Sequence, residues 1–463
     1  MAFIHDHLSS GCANLNYRKR RLLRLAPAFT LALALLVGFA PSAHAVPSMA
    51  RQTGYACAKC HTVYPELTPF GRQFKLGAYA MSSDKWDART RIERLPVAAA
   101  LQISQTNTSN TAAGGAMPED FENDRQLILQ TLALYYGGRI TKHSGALAQF
   151  NYDGLDKAWV TEMFDVRYAH EFSQGDNENT IGVTLNNNPS VSDIYNSTPT
   201  WGFPHVGSAA RQMPASTAVD MMLASQVGGV TVYTMWNDLI YAEAGVYRTA
   251  ATGALRFLGH GVPTETVLAG NSPYWRLALQ RERGKHSLEL GTFGLHTKIQ
   301  QDAEDASALT NTFSDFALDG SYQYLSGNHA FSAHAVWIHE KQNWDAAYPA
   351  GMTSNATNSL TTLRVDSHYS FQRRLAGGLQ YFRTSGSTDQ LLYDTGDVVM
   401  GSARGSPDSH GWIGEFDYLP TDQIKLAVRY TIFQTFNGAS SNYMAGRDAS
   451  DNNSAFILAW ILF

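Results

Sequence analysis

The sequence predicts a mainly β protein, an antiparallel outer-membrane barrel of about sixteen strands that follows a small α-helical segment. Three observations support this fold. From residue 95 onwards, short segments alternate between apolar and polar side chains, and their connections alternate between short and long. The chain also ends on an apolar segment whose last residue, Phe463, is aromatic. One apolar and one polar face over about ten residues is typical of a transmembrane β-strand.

The alternation is clearest in the C-terminal half of the chain, where Leu363 and Val365 alternate with Arg364 and Asp366. A soluble β-sandwich also alternates in this way, so the pattern alone leaves both folds open. The predicted strands are 95–105, 125–138, 144–153, 160–172, 178–186, 227–236, 238–249, 273–283, 286–298, 312–325, 328–341, 359–371, 374–386, 408–418, 422–436 and 453–463.

The lengths of the connections favour the barrel. Connections after even-numbered strands are tight, such as 283–285, 326–328 and 420–422. Those after odd-numbered strands are mostly long and polar, and the short link at 154–159 is an exception. Outer-membrane barrels have short periplasmic turns and long external loops, whereas a sandwich has no reason to keep this rhythm. The long connections are 106–124, 187–226, 250–272, 342–358, 387–407 and 437–452.

Residues 1–45 have the pattern of an export signal. A basic cluster from Arg18 to Arg24 precedes the apolar run Leu25 to Phe39, and Ala43-His44-Ala45 is a cleavage site of the A-x-A type. The alternative, a retained membrane anchor, requires a longer apolar run. We therefore predict cleavage after Ala45 and export to the cell outer membrane.

Cleavage changes both the charge and the cysteine content of the mature chain. The signal holds five basic residues and one aspartate, so its removal lowers the net charge from −5 to about −9. This acidic balance argues against nucleic acid as a partner. Cys12 leaves with the signal, and the mature chain keeps only Cys57 and Cys60.

Cys57-Ala58-Lys59-Cys60-His61 has the C-x-x-C-H spacing that attaches c-type haem. Two thiols at this spacing each form a thioether bond to the porphyrin, and His61 follows as an axial ligand of the iron. The alternatives are a chance pattern, half of a zinc site or a redox dithiol. The histidine, the export signal and the lack of a second cysteine pair favour one covalently attached haem c.

Residues 46–94 form the predicted cytochrome segment, which precedes the porin-like barrel of residues 95–463. Thr68 before Pro69 predicts a helix start, and we expect the helix to run to about Met81. Met81 is the predicted sixth ligand of the iron because no other Met or His follows His61 in the segment. The alternative is that Met81 is merely packed or exposed, and that a Met or His from the barrel lumen or from residues 187–226 is the ligand instead. About 49 residues barely bury a haem, so we expect insertion into the barrel lumen.

Residues 187–226 are long for a barrel loop and carry several ordering features, among them Pro189, Pro199 and Trp201-Gly202-Phe203-Pro204. A connection of this length with such residues is typical of an ordered, functional segment rather than slack chain. It folds into the lumen as a plug or lies outside as an external cap, and the sequence leaves both open.

The predicted cytochrome segment resembles a known family of proteins. Ala50-Arg51-Gln52-Thr53-Gly54 before the motif, and Pro65-Glu66-Leu67 with Phe70-Gly71-Arg72-Gln73-Phe74-Lys75, Gly77 and Tyr79 after it, resemble the fused monohaem cytochrome–porins. These are outer-membrane iron oxidases of iron-oxidising bacteria, with a small cytochrome joined to a barrel of about sixteen strands. The local likeness covers about 35 residues, and the likeness of the barrel is architectural.

The resemblance implies that extracellular Fe(II) donates electrons, that one haem c carries them, and that a periplasmic c-type cytochrome or other carrier accepts them. Outer-membrane lipid is the remaining implied partner. Acidic residues on the external loops are candidate attractors of Fe(II): Glu119, Asp120, Glu122, Asp124, Asp302, Glu304 and Asp305. The alternatives are a diffusion porin with a cytochrome plug, or a conduit for a different extracellular donor or acceptor.

Overall fold

The computed structural model describes residues 47–84, 86, 89–90, 94–109, 127–153, 158–175, 177–208, 213–223, 226–251, 266–303, 305 and 309–463. From Val46 to Phe463 the chain forms one compact unit. The predicted signal peptide at residues 1–45 lies outside the described residues.

Within these residues, sixteen antiparallel strands close into a barrel in the order of the chain. Strand β1 pairs with β16, where Ala100 lies opposite Leu462 and Thr108 opposite Ser454. Closure pairs both edges of every strand, so the sandwich alternative is wrong. The strands are β1 Val97–Thr108, β2 Leu127–Arg139, β3 Ser144–Asp153, β4 Ala158–Gln174, β5 Asn177–Asn186, β6 Val227–Trp236, β7 Ile240–Thr249, β8 Ser272–Arg283, β9 His286–Gln300, β10 Thr310–Ser326, β11 His329–Asn343, β12 Thr357–Phe371, β13 Leu375–Gly386, β14 Ser409–Thr421, β15 Ile424–Thr435 and β16 Ser454–Leu462.

The barrel has an apolar outside and a largely polar inside. On β8, Trp275, Leu277 and Leu279 are exposed, whereas the alternating Arg276 and Gln280 are buried in the lumen. Exposed apolar side chains recur at alternate positions on most other strands, for example Val230 and Val232 on β6. This is the pattern of a barrel that meets lipid on its outer face, and the fold is that of an outer-membrane β-barrel.

In the described part of the N-terminal segment, residues 46–94, there are three helices: α1 Ser48–Thr53, α2 Cys57–Cys60 and α3 Pro69–Leu76. Two short helices, α4 Pro189–Ser192 and α5 Gln390–Tyr393, lie in connections, as do single helical turns at Ala218–Met222 and Ala449–Asn452. Among the described residues, each helix is too short or too polar to cross a membrane.

Helix α3 begins as the sequence predicts but ends earlier. The Thr68 hydroxyl oxygen accepts a hydrogen bond from the Gly71 N–H, and Pro69 occupies the first helical position. The prediction that the helix continues to Met81 is wrong, because it ends at Leu76. Gly77 follows as its cap, and Ala78 and Tyr79 both adopt φ of 56°, a left-handed conformation that cannot continue an α-helix.

The N-terminal segment lies inside the barrel. Arg72 on α3 donates to Gln323 on β10 at 2.9 Å and to Ser287 on β9 at 2.7 Å. The Tyr79 hydroxyl donates to Asp165 on β4 at 2.6 Å. Because these partners project into the lumen from separate parts of the ring, the barrel encloses the segment as expected from its small size.

Candidate functional site: a thiol and imidazole cavity beneath a lumen plug

The C-x-x-C-H motif forms one helical turn followed by an extended residue. Cys57 and Cys60 begin and end α2, so their side chains lie on the same side of the turn. His61 follows in an extended conformation, and its backbone N–H donates to the Cys57 carbonyl at 3.0 Å. The turn thus presents two thiols and an imidazole within five residues.

The imidazole of His61 is held at one nitrogen. Nδ1 lies 3.1 Å from the Pro65 carbonyl oxygen, a distance at which a protonated Nδ1 donates a hydrogen bond. Burial lowers the pKa of His61, which favours the neutral ring. A neutral ring that carries its proton on Nδ1 keeps a lone pair on Nε2, and this is the tautomer that binds metals.

Both thiols are free and buried enough to stay protonated at neutral pH. Burial raises the pKa of Cys60 to about 11, and burial likewise raises the pKa of Cys57. Reactive redox cysteines have lowered pKa values, so the environment of this pair disfavours a redox dithiol. In the part of the chain that the structure describes, there is no group of three His, Cys, Asp or Glu side chains arranged to hold a metal ion.

The two thiols and the imidazole line one apolar cavity, which leaves about 1110 Å³ free of protein atoms, part of it open to solvent. The segment contributes Met49, Tyr55, Phe74 and Tyr79. The barrel completes the wall with side chains from β1, β2, β3 and β16: Ala98, Tyr135, Leu147 and Leu462. A flat apolar macrocycle with two reactive edge carbons fits this donor set, so the residues present fit a c-type haem.

This cavity lies at the end of the barrel that carries the tight turns. Lys59 and His61 share a second cavity with Gly284, Gly327 and Arg373, which belong to the turns after β8, β10 and β12. Tight turns face the periplasm in outer-membrane barrels. The motif therefore sits near the periplasmic opening.

Met81 lies apart from the cavity. Its side chain is 41% exposed, and it is absent from the described cavity wall that contains His61. Met49, which precedes the motif, does line that wall. The sequence pattern after His61 does not point to Met49, which precedes the motif. The signal that could have found it is its position next to Ala50-Arg51-Gln52-Thr53-Gly54.

The described parts of residues 187–226 fold into the lumen rather than over it. Asp220 accepts two hydrogen bonds from Arg364, at 2.7 and 3.0 Å, and the Phe203 carbonyl accepts one from Gln380 at 2.6 Å. Together the contacts reach most of the way around the ring. The barrel partners are Gln130 on β2, Arg167 on β4, Glu243 on β7, Gln280 on β8, Asp315 on β10, Glu340 on β11, Arg364 on β12, Gln380 on β13 and Arg429 on β15.

This lumen plug, residues 187–208 and 213–223, rests on the N-terminal segment. Lys75 Nζ donates to the carbonyl oxygens of Val191 and Asp193, both at 2.7 Å, and lies 4.5 Å from the ring centre of Trp201. The Leu67 N–H donates to Asn196 Oδ1 at 3.0 Å. The plug and the segment therefore form a continuous polar contact within the lumen.

Asp193 organises the part of the plug next to Lys75. Its carboxylate accepts hydrogen bonds from the N–H groups of Tyr195, Ser197 and Thr198, each at 2.9 Å. Arg276 Nη1 lies 3.5 Å away. Burial alone raises the pKa of Asp193, but Arg276 and the N–H donors outweigh it and lower the pKa. Asp193 is thus a buried carboxylate that holds its turn in one conformation.

The predicted acidic attractors of Fe(II) are only partly described. Glu119, Asp120, Glu122, Asp124 and Glu304 lie outside the described residues. Asp302 and Asp305 follow β9 in the external connection and are exposed. These two are placed where a cation from the outside would meet them.

No protein-family model matches the chain, and no curated protein is similar enough to match it. Several solved outer-membrane proteins are similar at low identity. OmpF of Salmonella typhi, in a complex with daunomycin, is 12% identical, covering 79% of this chain and 97% of its own, with a TM-score of 0.45. The channel DcaP of Acinetobacter baumannii is 14% identical (79% and 96%, TM-score 0.43). OmpT of Vibrio cholerae is 9% identical (79% and 98%, TM-score 0.43). The fold itself rests on the closed pairing of the strands described above.

Proposed function

We propose that this protein is an outer-membrane electron-transfer cytochrome with one haem c bound through Cys57, Cys60 and His61. The observation that carries the proposal is the convergence of these three side chains on one apolar cavity inside the barrel. When bound, the haem supplies one-electron redox chemistry. The apolar side chains keep water from the porphyrin faces, and the Pro65 carbonyl fixes the orientation of His61.

The electron donor in this proposal is extracellular Fe(II), and the acceptor is a periplasmic carrier such as a c-type cytochrome. Each Fe(II) gives one electron and becomes Fe(III), and each electron then passes to the carrier. The position of Lys59 and His61 near the tight turns supports delivery on the periplasmic side. The donor is inferred from the resemblance of the haem segment, so the protein would act as an iron oxidase in the cell outer membrane.

A reduced-minus-oxidised spectrum of outer membranes that contain the protein tests the proposal. We expect the sharp absorption bands of a c-type cytochrome, and we expect Fe(II) to reduce the haem. Membranes from cells that make the Cys57→Ala, Cys60→Ala variant are the control. Haem bands without reduction by Fe(II), at a potential that permits it, would point instead to another donor or to the reverse direction. Absence of covalent haem would overturn the proposal.

The alternative function is a diffusion porin in which the cytochrome segment serves only as a plug. The lumen plug favours the conduit, because its contacts with nine strands occupy the cross-section through which solutes would pass. Conductance in planar bilayers separates the two functions. A conduit should conduct far less than an open sixteen-stranded porin, and porin-like conductance of the intact protein would support the alternative.

A further inference from the structure

We propose that the thioether sulfur of Met49 would bind the haem iron as a second protein ligand, together with His61. This inference rests on the proposed haem and names a residue that the C-x-x-C-H motif does not include. Met49 precedes the motif by eight positions and belongs to α1, whereas His61 follows α2. Both side chains line the same cavity as Cys57 and Cys60.

The chain reversal at Gly54 brings α1 and α2 to the same cavity. Gly54 has φ of 77°, a left-handed conformation that ends α1, and its N–H donates to the Ala50 carbonyl. The Thr53 hydroxyl donates to the Met49 carbonyl at 2.9 Å within the helix. After Gly54 only Tyr55 and Ala56 separate the end of α1 from the first thiol, so both helices face one space.

Gln52 then fastens α1 in place. Its Nε2 donates to the carbonyl oxygens of Tyr79 and Met81, both at 2.7 Å, and its Oε1 accepts from the Arg139 N–H at 2.7 Å. The Gln52 side chain is buried, and its three bonds hold α1 to Tyr79 and Met81 of the same segment and to the end of β2. The Met81 side chain, by contrast, is exposed and does not contribute to the described cavity wall.

The barrel wall leaves room for the Met49 side chain. A Cβ at Gly137 on β2 would lie 3.2 Å from Met49 Cε and 3.3 Å from Ser48 Oγ. A side chain at this lumen position would require the Met49 methyl group and the Ser48 hydroxyl to shift by a few tenths of an ångström. The glycine thus lets the Met49 side chain lie between the segment and the barrel, at the edge of the haem cavity.

Three other potential ligands in the described cavity wall are already engaged. Lys75 donates to two carbonyl oxygens of the plug, and the Tyr79 hydroxyl donates to Asp165. Tyr64 is hydrogen-bonded to Tyr135. Among the described wall residues, Met49 is the one thioether, and a thioether needs no deprotonation to bind iron.

Thioether ligation has measurable consequences. It raises the reduction potential of a c-type haem, as suits a protein that takes electrons from iron. It also gives the oxidised protein a weak near-infrared band from sulfur-to-iron charge transfer. Loss of the sulfur leaves an open coordination position that carbon monoxide occupies in the reduced protein.

The test compares Met49→Leu with Met81→Leu in the full-length protein purified from outer membranes. Leucine keeps most of the volume of methionine but cannot bind iron, so packing is preserved in both variants. Haem staining on a denaturing gel reports attachment, which does not need an axial sulfur. We expect equal staining, loss of the sulfur band, a lower midpoint potential and new carbon monoxide binding in Met49→Leu only.

Any of the following results would overturn the inference. A sulfur band that persists in Met49→Leu, or one that disappears in Met81→Leu, excludes Met49 as the ligand. Wild-type protein that carries covalent haem without a sulfur band also excludes it, while the proposed haem site stands. If wild-type protein carries no covalent haem, the proposed function fails and this inference fails with it. Met49→His serves as a rescue: it should restore six-coordination without the sulfur band, and failure to do so would argue that residue 49 does not reach the iron.

Discussion

Gly71 packs against the carbonyl oxygen of Cys60 so closely that a Cβ atom at position 71 would overlap it. Two hydrogen bonds join the same parts of the chain. The Thr68 N–H donates to the Cys60 carbonyl at 2.8 Å, and the Thr68 hydroxyl donates to the Lys59 carbonyl at 2.7 Å. The start of α3 therefore packs directly against the end of the C-x-x-C-H motif. Glycine is required here for close approach of two backbones rather than for an unusual φ.

Gly71→Ala should therefore loosen α3 from the motif. Overpacking of this kind costs about 1–3 kcal/mol, enough to expose a small segment to proteases and to lower haem attachment. The measurement is haem stain per barrel after mild proteolysis. Gly414→Ala is the matched control, because a Cβ there meets open space. Equal haem content in the two variants would contradict the prediction.

Cys57→Ala and Cys60→Ala should each abolish stable haem attachment. The two thioether bonds each need one of the two cysteine sulfur atoms, whereas closure of the barrel depends on pairing between β1 and β16. We expect a folded, heat-modifiable barrel without haem stain. A stained band in the double variant would refute the assignment of the motif.

Asp193→Ala should open the lumen. The substitution removes the acceptor of three backbone N–H bonds and leaves Arg276 with less negative charge around it. Loss of one partner from a buried charged cluster costs about 3–5 kcal/mol, which is enough to release part of the plug. Planar-bilayer conductance should rise several-fold above that of the wild type. Asp394→Ala, an exposed position after α5, is the control and should leave conductance unchanged.

The midpoint potential should depend on pH through Lys75. Burial, reinforced by Arg167, lowers the pKa of Lys75 to about 7, and this side chain lines the haem cavity. Below that pH the ammonium favours the reduced haem, so the potential should fall as pH rises through about 7. Two unit charges about 10 Å apart at an effective dielectric constant of about 20 interact by about 1.7 kcal/mol, or roughly 70 mV for one electron.

Redox titrations between pH 5.5 and 8.5 measure this effect. Lys75→Met keeps the length of the side chain and should flatten the dependence near pH 7. The same slope in both proteins would assign the titration to a different group.

Intact cells should oxidise Fe(II) at this haem without iron entering the periplasm. In the proposed function the electron, not the iron, crosses the barrel, and the contacts between the plug and the barrel occupy the lumen that iron would have to pass. The measurement supplies Fe(II) as free ion and as a chelate too large for a pore, at matched driving force. Haem reduction that stops with the large chelate but continues with the free ion would contradict oxidation at the surface.

The strands of this protein are predictable from its sequence because both the alternation of their side chains and the turns between them are local signals. Every predicted strand end lies within three residues of the observed end. Alternation along a strand is a local property, and turns such as Arg283-Gly284-Lys285 mark the boundaries with local signals. An even number of strands lets the first and last strands pair antiparallel, and Phe463 pairs with Ala99 where the ring closes.

The interior of the barrel was harder to predict because it depends on contacts between distant parts of the chain. The sequence predicts that α3 continues to Met81, because Ala78 and Tyr79 carry no sequence signal for a left-handed conformation. Whether residues 187–226 plug or cap the barrel depends on partners such as Arg364, which follow them by more than a hundred positions. Likewise, the approach of Met49 to the haem motif depends on the turn at Gly54.

The enclosure of the N-terminal segment imposes an order on biogenesis. Arg72 and Tyr79 donate hydrogen bonds to β9, β10 and β4 inside a ring that closes where β1 pairs with β16. These buried bonds require the folded segment and the strands to come together inside the lumen. We therefore expect the segment to be captured while the barrel is still open, before β1 and β16 pair.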